Sequence, residues 1–170
     1  MSTSEMKSRV VNEKVLVLER IFHAPQDLVF QMFKEADHLK HWWGPAGWEL
    51  PVCHVDFRNG GSWHYCMKCV DRNQGDFYGM ESWGKVIYKK IIEPETIIYT
   101  DYFSDAEGTI DETMPSSEIT LEFIDIGNGQ TKLVNHAEYV SAEALQKVMD
   151  MGMLQGITET WDRLEERLNY

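Results

Sequence analysis

The C-terminal stretch, residues 141–170, constrains the fold more than any other part of the chain because its apolar residues recur at helical spacing. Ser141 is suited to cap the first free amides of a helix, and Glu143 favours the positive helix end. No proline interrupts the stretch, so one continuous helix is predicted. One broad face of this helix carries Leu145, Val148, Met149, Met153, Ile157, Trp161, Leu164 and Leu168. The pattern therefore predicts a long helix that lies on an apolar surface.

Two glycines fall within the apolar face of this helix, Gly152 and Gly156. Each destabilises a helix by roughly 1 kcal/mol relative to alanine, so a structural reason for glycine is expected. Either the helix approaches the structure beneath it closely, or the missing side chains leave space for a ligand. On the second interpretation, the helix contributes five cavity-lining candidates, which are Met149, Gly152, Met153, Gly156 and Ile157.

The chain before this helix changes from a mixed pattern to a strictly alternating one. Residues 14–23 predict a strand, and residues 25–36 and 37–43 predict two short helices. From about residue 48 the alternation of apolar and polar residues predicts about six successive strands. Glycines at 60–61 and 127–129 supply tight turns between strands.

These elements predict an α+β fold. Strands joined by hairpins form an antiparallel sheet, and the long amphipathic helix must cover its apolar face. We therefore expect a curved antiparallel sheet wrapped around a long C-terminal helix, with two short helices after the first strand. Residues 1–12 are polar and unpatterned and are expected to form a loose N-terminal arm. Residues 13–170 are expected to form a single domain.

The chain has six tryptophans, and residues of this size either fill a core or line a cavity. Trp63, Tyr65 and Met67 alternate on one face of a predicted strand, so we expect them to share an environment. Trp42 and Trp43 are neighbours on a predicted helix and point about 100° apart, so one should pack inside and the other near the rim. The cavity-lining candidates from these segments are Trp43, Trp63, Tyr65, Met67 and Trp83.

The charge of the chain narrows the classes of partner. Acidic residues outnumber basic residues by 28 to 16, which gives a formal charge of −12. Nucleic acid and anionic membrane surfaces are therefore not expected as partners. No apolar run reaches the roughly 20 residues that span a bilayer, and the first residues lack the core of a signal peptide. We expect a soluble, cytoplasmic protein.

The sequence contains no motif that assigns a metal, a cofactor or a catalytic residue. Cys66 and Cys69 are three apart on a predicted strand, so their sulfurs point to opposite faces and are not expected to share a metal ion. No Ser-His-acid order or phosphate-binding glycine loop is present. Glu81, close to Trp83, is either a buried carboxylate with a raised pKa or, as is more usual for a strand glutamate, exposed to water.

Four motifs occur in an order that resembles a known family. They are Arg-Ile-Phe-His-Ala-Pro at 20–25, Trp-Trp-Gly-Pro at 42–45, the segment 56–63 that ends in Gly-Gly-Ser-Trp, and Gly-Met-Leu-Gln-Gly at 152–156. Together they resemble the START-like SRPBCC superfamily and, within it, homologues of the activator of the heat shock protein 90 ATPase. The resemblance covers about residues 14–168 and implies a helix-grip fold.

The same resemblance implies a function as an expectation. Members of the superfamily enclose a cavity that commonly accepts lipids, sterols, polyketides or other hydrophobic molecules. We therefore expect this chain, as a monomer or homodimer, to bind a small hydrophobic molecule (lipid, polyketide or aromatic-like) between sheet and helix. The first alternative is a cochaperone that stimulates a chaperone's ATPase, although the eukaryotic activators carry a second, N-terminal domain that this sequence lacks. The second is an enzyme, a cyclase or hydrolase, that acts on a hydrophobic substrate in the same cavity.

Overall fold

The computed structural model of the protein describes residues 5–169, which are built around one antiparallel sheet of eight strands. The strands are β1 (Lys7–Val11), β2 (Val15–Phe22), β3 (Trp48–Val55), β4 (Ser62–Cys69), β5 (Glu81–Ile92), β6 (Thr96–Phe103), β7 (Ser117–Gly127) and β8 (Gln130–Tyr139). Their order in the sheet is β1-β2-β8-β7-β6-β5-β4-β3, so the consecutive strands from β3 to β8 are adjacent, as the predicted hairpins require.

The helices are confined to two places in the chain. Two short helices, α1 (Gln26–Lys34) and α2 (Ala36–Trp42), follow β2, and two more, α3 (Ala142–Asp150) and α4 (Met153–Leu168), follow β8. The curved sheet, the long C-terminal helix α4 and the short helices confirm the predicted helix-grip α+β fold. None of the helices in the described part of the chain is both long and apolar enough to cross a membrane.

The N-terminal arm differs from the prediction. Residues 7–11, which were expected to be loose, form the edge strand β1 and pair with β2 in register from Lys7 opposite Glu19 to Val11 opposite Val15. The sequence pattern missed this strand because every residue of β1 is exposed, so no apolar alternation marks it. Residues 1–4 of the expected arm lie outside the described residues.

The C-terminal stretch is also not the single continuous helix that was predicted. Ser141 caps α3 as expected, since its side chain accepts a hydrogen bond from the Ala144 amide at 3.1 Å. The helix then breaks at Met151 and Gly152, and Gly152 has a φ of +85°. Only glycine adopts this left-handed conformation without strain, so the break explains why this position is glycine. Helix α4 starts at the next residue, Met153.

Helix α4 packs on the inner face of the sheet through the predicted apolar face. Trp161, Leu164 and Leu168 are buried, and the Trp161 ring meets Phe22 of β2 edge to face with ring centroids 6.0 Å apart. Further along the same face, Met153 and Ile157 are only partly buried. The sheet and α4 are therefore in full contact towards the C-terminal end of the helix and diverge towards its start.

A buried arginine fixes α4 to the sheet. The Arg20 side chain in β2 is 3% exposed and donates to Asp162 at 2.7 Å and to Glu165 at 2.5 Å. Glu165 is itself almost fully buried, whereas Asp162 is exposed. Because both carboxylates belong to α4, this arginine sets the position of the helix on the sheet.

Candidate functional site

A cavity of about 320 Å³ opens where α4 diverges from the sheet. Its walls come from β4 to β8, from the loops after α2 and before β7, and from α3, α4 and the junction between them. The volume lies at the lower end of the range of about 300–1,000 Å³ that is usual for small-molecule sites. Residues with apolar or aromatic side chains supply most of the lining.

The structure brings most of the predicted lining residues to this cavity and leaves two outside it. The lining includes Trp43, Tyr65, Met67, Trp83, Gly152, Met153, Gly156 and Ile157, but neither Trp63 nor Met149. Trp63 is buried behind the wall, with its ring 4.8 Å from that of Trp43 and 4.6 Å from that of Tyr65. Met149 packs against the core. That the lining residues contact a ligand stays a prediction.

Trp83 borders the cavity, but its ring lies on the other face of the sheet. Its ring stacks on His64 with centroids 5.3 Å apart, and its indole N–H donates to Glu81 at 3.3 Å. On the paired strands, Tyr65 lies opposite Gly84, so the adjacent residues His64 and Trp83 alternate towards the other face of the sheet. The indole of Trp83 is therefore part of the outer surface, and Glu81 is exposed to water.

The second helix glycine has open space in front of it. A Cβ atom added to Gly156 would meet no heavy atom within 4 Å. A close approach of helix and sheet does not explain this glycine, which instead leaves free volume on the cavity side of α4. Of the two reasons considered for glycine at this position, the geometry favours space for a ligand.

The loop after α2 forms a rigid wall of the cavity. Arg163 of α4 donates to the backbone carbonyls of Gly44 at 2.8 Å and of Trp48 at 3.0 Å, which fixes the loop to the helix. The ring of Trp43, the first residue of this loop, meets that of Tyr65 edge to face with ring centroids 5.9 Å apart.

An acid that was not among the predicted site residues, Asp101 of β6, lies beside Tyr65 in the cavity wall. The Tyr65 hydroxyl donates to Asp101 Oδ1 at 3.3 Å, and Asp101 lines the cavity. Gly84 makes this contact possible, since a Cβ there would lie 2.3 Å from the Tyr65 ring. Ile97, Tyr99, Asp101 and Phe103 share one strand face. An acid at a strand position where the alternation predicts an apolar residue was the signal that could have revealed the site.

Burial controls the ionisation of this acid and of the tyrosines near it. Burial raises the pKa of Asp101 to about 7, although the hydrogen bond from Tyr65 opposes the shift. Burial likewise raises the pKa of Tyr139 to about 12 and holds the pKa of Tyr65 and of Tyr99 well above the ordinary value. In the described range 5–169, no Lys, Arg or His side chain pairs with Asp101. The ionised carboxylate therefore lowers the stability of the fold.

We expect Asp101→Asn to stabilise the protein at alkaline pH. Because the pKa of Asp101 is higher in the folded chain, the folded state binds more protons, and wild-type stability falls as pH rises from about 4 to about 7. At about 1.4 kcal/mol per pKa unit, the variant should exceed wild type by on the order of 3 kcal/mol at pH 8 and match it near pH 4. Urea unfolding at both pH values measures this, with the exposed Asp76→Asn as the control. An equal difference at both pH values would contradict it.

The two neighbouring cysteines lie on β4, and both are buried free thiols. Among residues 5–169, no group of three or more His, Cys, Asp or Glu side chains is arranged to hold a metal ion.

The comparisons with known proteins agree with this architecture. The chain is similar to protein Ms6760 of Mycobacterium smegmatis, with 25% identity over 97% of this chain and 96% of that one and a TM-score of 0.82. A protein from Arthrobacter aurescens matches with 22% identity over 99% and 92% and a TM-score of 0.83. The AHSA1 protein of Silicibacter pomeroyi matches with 21% identity over 91% and 97% and a TM-score of 0.69.

Sequence families give the most specific result. A search of curated proteins finds no match. The model of the family described as "Activator of Hsp90 ATPase homolog 1-like protein" matches residues 23–169, which is most of the chain and includes every cavity-lining element. The chain therefore belongs to this family, the one that its four sequence motifs resemble.

Proposed function

We propose that this protein binds a small hydrophobic molecule in the cavity between the sheet and helix α4. The observation that carries the proposal is the open space at Gly156, which faces a largely apolar cavity of about 320 Å³. A packed core would fill such a volume, because protein interiors leave few voids larger than a water molecule. A cavity of this size, with apolar walls and a few polar groups, is typical of ligand sites.

The cavity walls are fixed in place, which favours a preformed site. Arg163 ties the loop carrying Trp43 to α4, and Arg20 ties α4 to the sheet. A ligand would therefore enter a space that folding has already created, and ordering of the walls would not reduce its affinity. Lipids, polyketides and aromatic molecules are the expected ligand classes.

We expect Gly156→Leu to abolish ligand binding while the fold survives. Leucine would occupy the free volume in front of Gly156, and it also replaces a poor helix former within α4. Titration with N-phenyl-1-naphthylamine, a hydrophobic fluorophore uncharged at neutral pH, measures the affinity, and a loss of tenfold or more is expected. The matched control is Gln155→Leu, which adds leucine at the adjacent exposed position and should bind as wild type does. Unchanged binding by Gly156→Leu, with its melting temperature retained, would refute the proposal.

A cochaperone function is the second candidate because the description of the family names an activator of the Hsp90 ATPase. This function needs a protein-binding surface and no occupied cavity. An ATPase assay with an Hsp90 chaperone separates the two candidates, since Gly156→Leu should leave any stimulation unchanged. Absence of stimulation by the wild-type protein would exclude the cochaperone candidate.

Catalysis on a hydrophobic substrate is the third candidate and depends on Asp101. A carboxyl with a pKa of about 7 at a cavity wall is suited to general acid–base chemistry at neutral pH. A single-turnover reaction with the molecules that co-purify with the protein would detect such an activity. If Asp101→Asn converts these molecules as fast as wild type, or neither does, this candidate fails.

A further inference from the structure

The charge that the cavity lining carries is negative. Asp101 contributes a carboxyl, and none of the lining residues in the described part of the chain is Lys, Arg or His. Arg163, whose guanidinium lies next to the lining residue Gly44, is occupied by the backbone carbonyls of the loop after α2. A ligand that enters the cavity therefore meets an acid whose charge no protein group neutralises.

The hydrogen-bonding capacity of Asp101 is only partly used. Its Oδ1 accepts a hydrogen bond from the Tyr65 hydroxyl, whereas Oδ2 has no hydrogen-bond partner within residues 5–169. An ionised carboxylate offers about four acceptor positions, so several remain free to take donors from a ligand.

The aromatic residues around the acid favour the same kind of ligand. Trp43, Tyr65, Phe103 and Tyr139 all line the cavity that Asp101 faces. Aromatic ring faces carry partial negative charge and attract ammonium groups, by up to about 2 kcal/mol where water is excluded. Aromatic faces around a free carboxylate are thus complementary to a positively charged group with an apolar body.

We propose that the ligand is a small apolar molecule with a protonated amine, and that its ammonium group pairs with the Asp101 carboxylate at the sheet wall. This inference rests on the proposed function, because it names the chemical class that the same cavity takes. Apolar acids such as fatty acids are disfavoured, since their carboxylate would lie beside Asp101 without a cation. The formal charge of the chain, −12, also raises the local concentration of cations over anions.

The groups that face Asp101 leave it as the one that titrates near neutral pH. From the sheet these groups are Tyr65 of β4, Tyr99 of β6 and Tyr139 of β8, whose pKa values are all raised by burial. From α3 and α4 the cavity is lined by Val148, Met153, Gly156, Ile157 and Thr160, which carry no charge. With the pKa of Asp101 at about 7, amine affinity should rise by up to about 30-fold between pH 5.5 and pH 8.

Three compounds with one ring system test the inference by calorimetry. They are 2-(1-naphthyl)ethylamine, the uncharged 2-(1-naphthyl)ethanol and the acidic 1-naphthylacetate. At pH 8 the wild-type protein should bind the amine at least tenfold more tightly than the alcohol, because a charge-assisted hydrogen bond is made to the carboxylate in the cavity wall. Asp101→Asn should reduce this preference to less than threefold and remove its pH dependence, whereas Asp76→Asn should leave both unchanged.

A second variant tests the geometry without removing the carboxylate. Tyr65→Phe deletes the hydrogen bond that lowers the pKa of Asp101, so the midpoint of the pH dependence should move to higher pH. The acid must also bind more weakly than the alcohol at pH 8. An amine that binds no better than the alcohol, or fails to bind, overturns the inference.

The outcomes separate this inference from the proposed function. If Gly156→Leu blocks N-phenyl-1-naphthylamine but the amine shows no preference over the alcohol, the cavity is a binding site and the inference is wrong. If Gly156→Leu leaves the binding of the fluorophore unchanged, the proposed function fails, and the inference fails with it.

Discussion

Replacement of Arg20 by methionine is expected to lower the free energy of unfolding by about 3–5 kcal/mol, which is the usual effect of removing one partner from a buried ion pair. The arginine side chain is 3% exposed and donates to Glu165 at 2.5 Å. Without it, Glu165 would keep a charge in a buried position with no cation beside it. Urea unfolding at neutral pH measures the loss as a lower midpoint with an unchanged slope.

Two controls distinguish the buried pair from a general effect of lost charge. Arg9 makes a similar pair with Glu19 on the surface, where its side chain is 60% exposed, so Arg9→Met should cost less than about 1 kcal/mol. The double variant Arg20→Met with Glu165→Leu should recover most of the stability, because no buried charge then remains. If the double variant is less stable than Arg20→Met alone, the explanation is wrong.

The fold follows from the sequence because each element carries a periodicity that its environment requires. The apolar face of residues 141–170 and the alternation after residue 48 together leave one arrangement, a sheet with a helix on its inner face. The break between α3 and α4 does not follow, because the apolar residues continue at steps of three and four across Met151 and Gly152. The residue type alone does not distinguish a glycine with a left-handed backbone conformation from a glycine inside a helix.

The candidate site was predictable in outline, since its position depends on the fold, but its chemistry was not. Tyr65, Met67, Gly156 and Ile157 line the cavity because the pattern placed them on inward faces. Asp101 was not among the predicted site residues, because strand acids usually face water. Its alternation with Ile97 and Tyr99, together with the register that places it opposite Val86 and Ser117, shows that this carboxylate points inside.

Truncation of Trp42 should mainly lower the stability of the protein, whereas truncation of its neighbour Trp43 should mainly weaken ligand binding. The Trp42 side chain is fully buried, its N–H donates to the Met32 carbonyl at 3.0 Å, and its ring packs 4.8 Å from that of Phe33. Truncation leaves a large void and an unpaired carbonyl, so a loss of about 3–5 kcal/mol is expected. Thermal or urea unfolding measures it.

Trp43→Ala is the matched variant, because its ring lies at the cavity wall and is only partly buried. Its truncation enlarges the cavity and removes the edge-to-face contact with Tyr65, so it should weaken fluorophore binding severalfold while costing less than about half the stability lost in Trp42→Ala. Trp42 is the last residue of α2, whereas Trp43 already has extended backbone with a ψ of 134°, so the two side chains point in different directions. Equal losses of stability in both variants, with binding by Trp43→Ala unchanged, would place Trp43 in the core and remove it from the site.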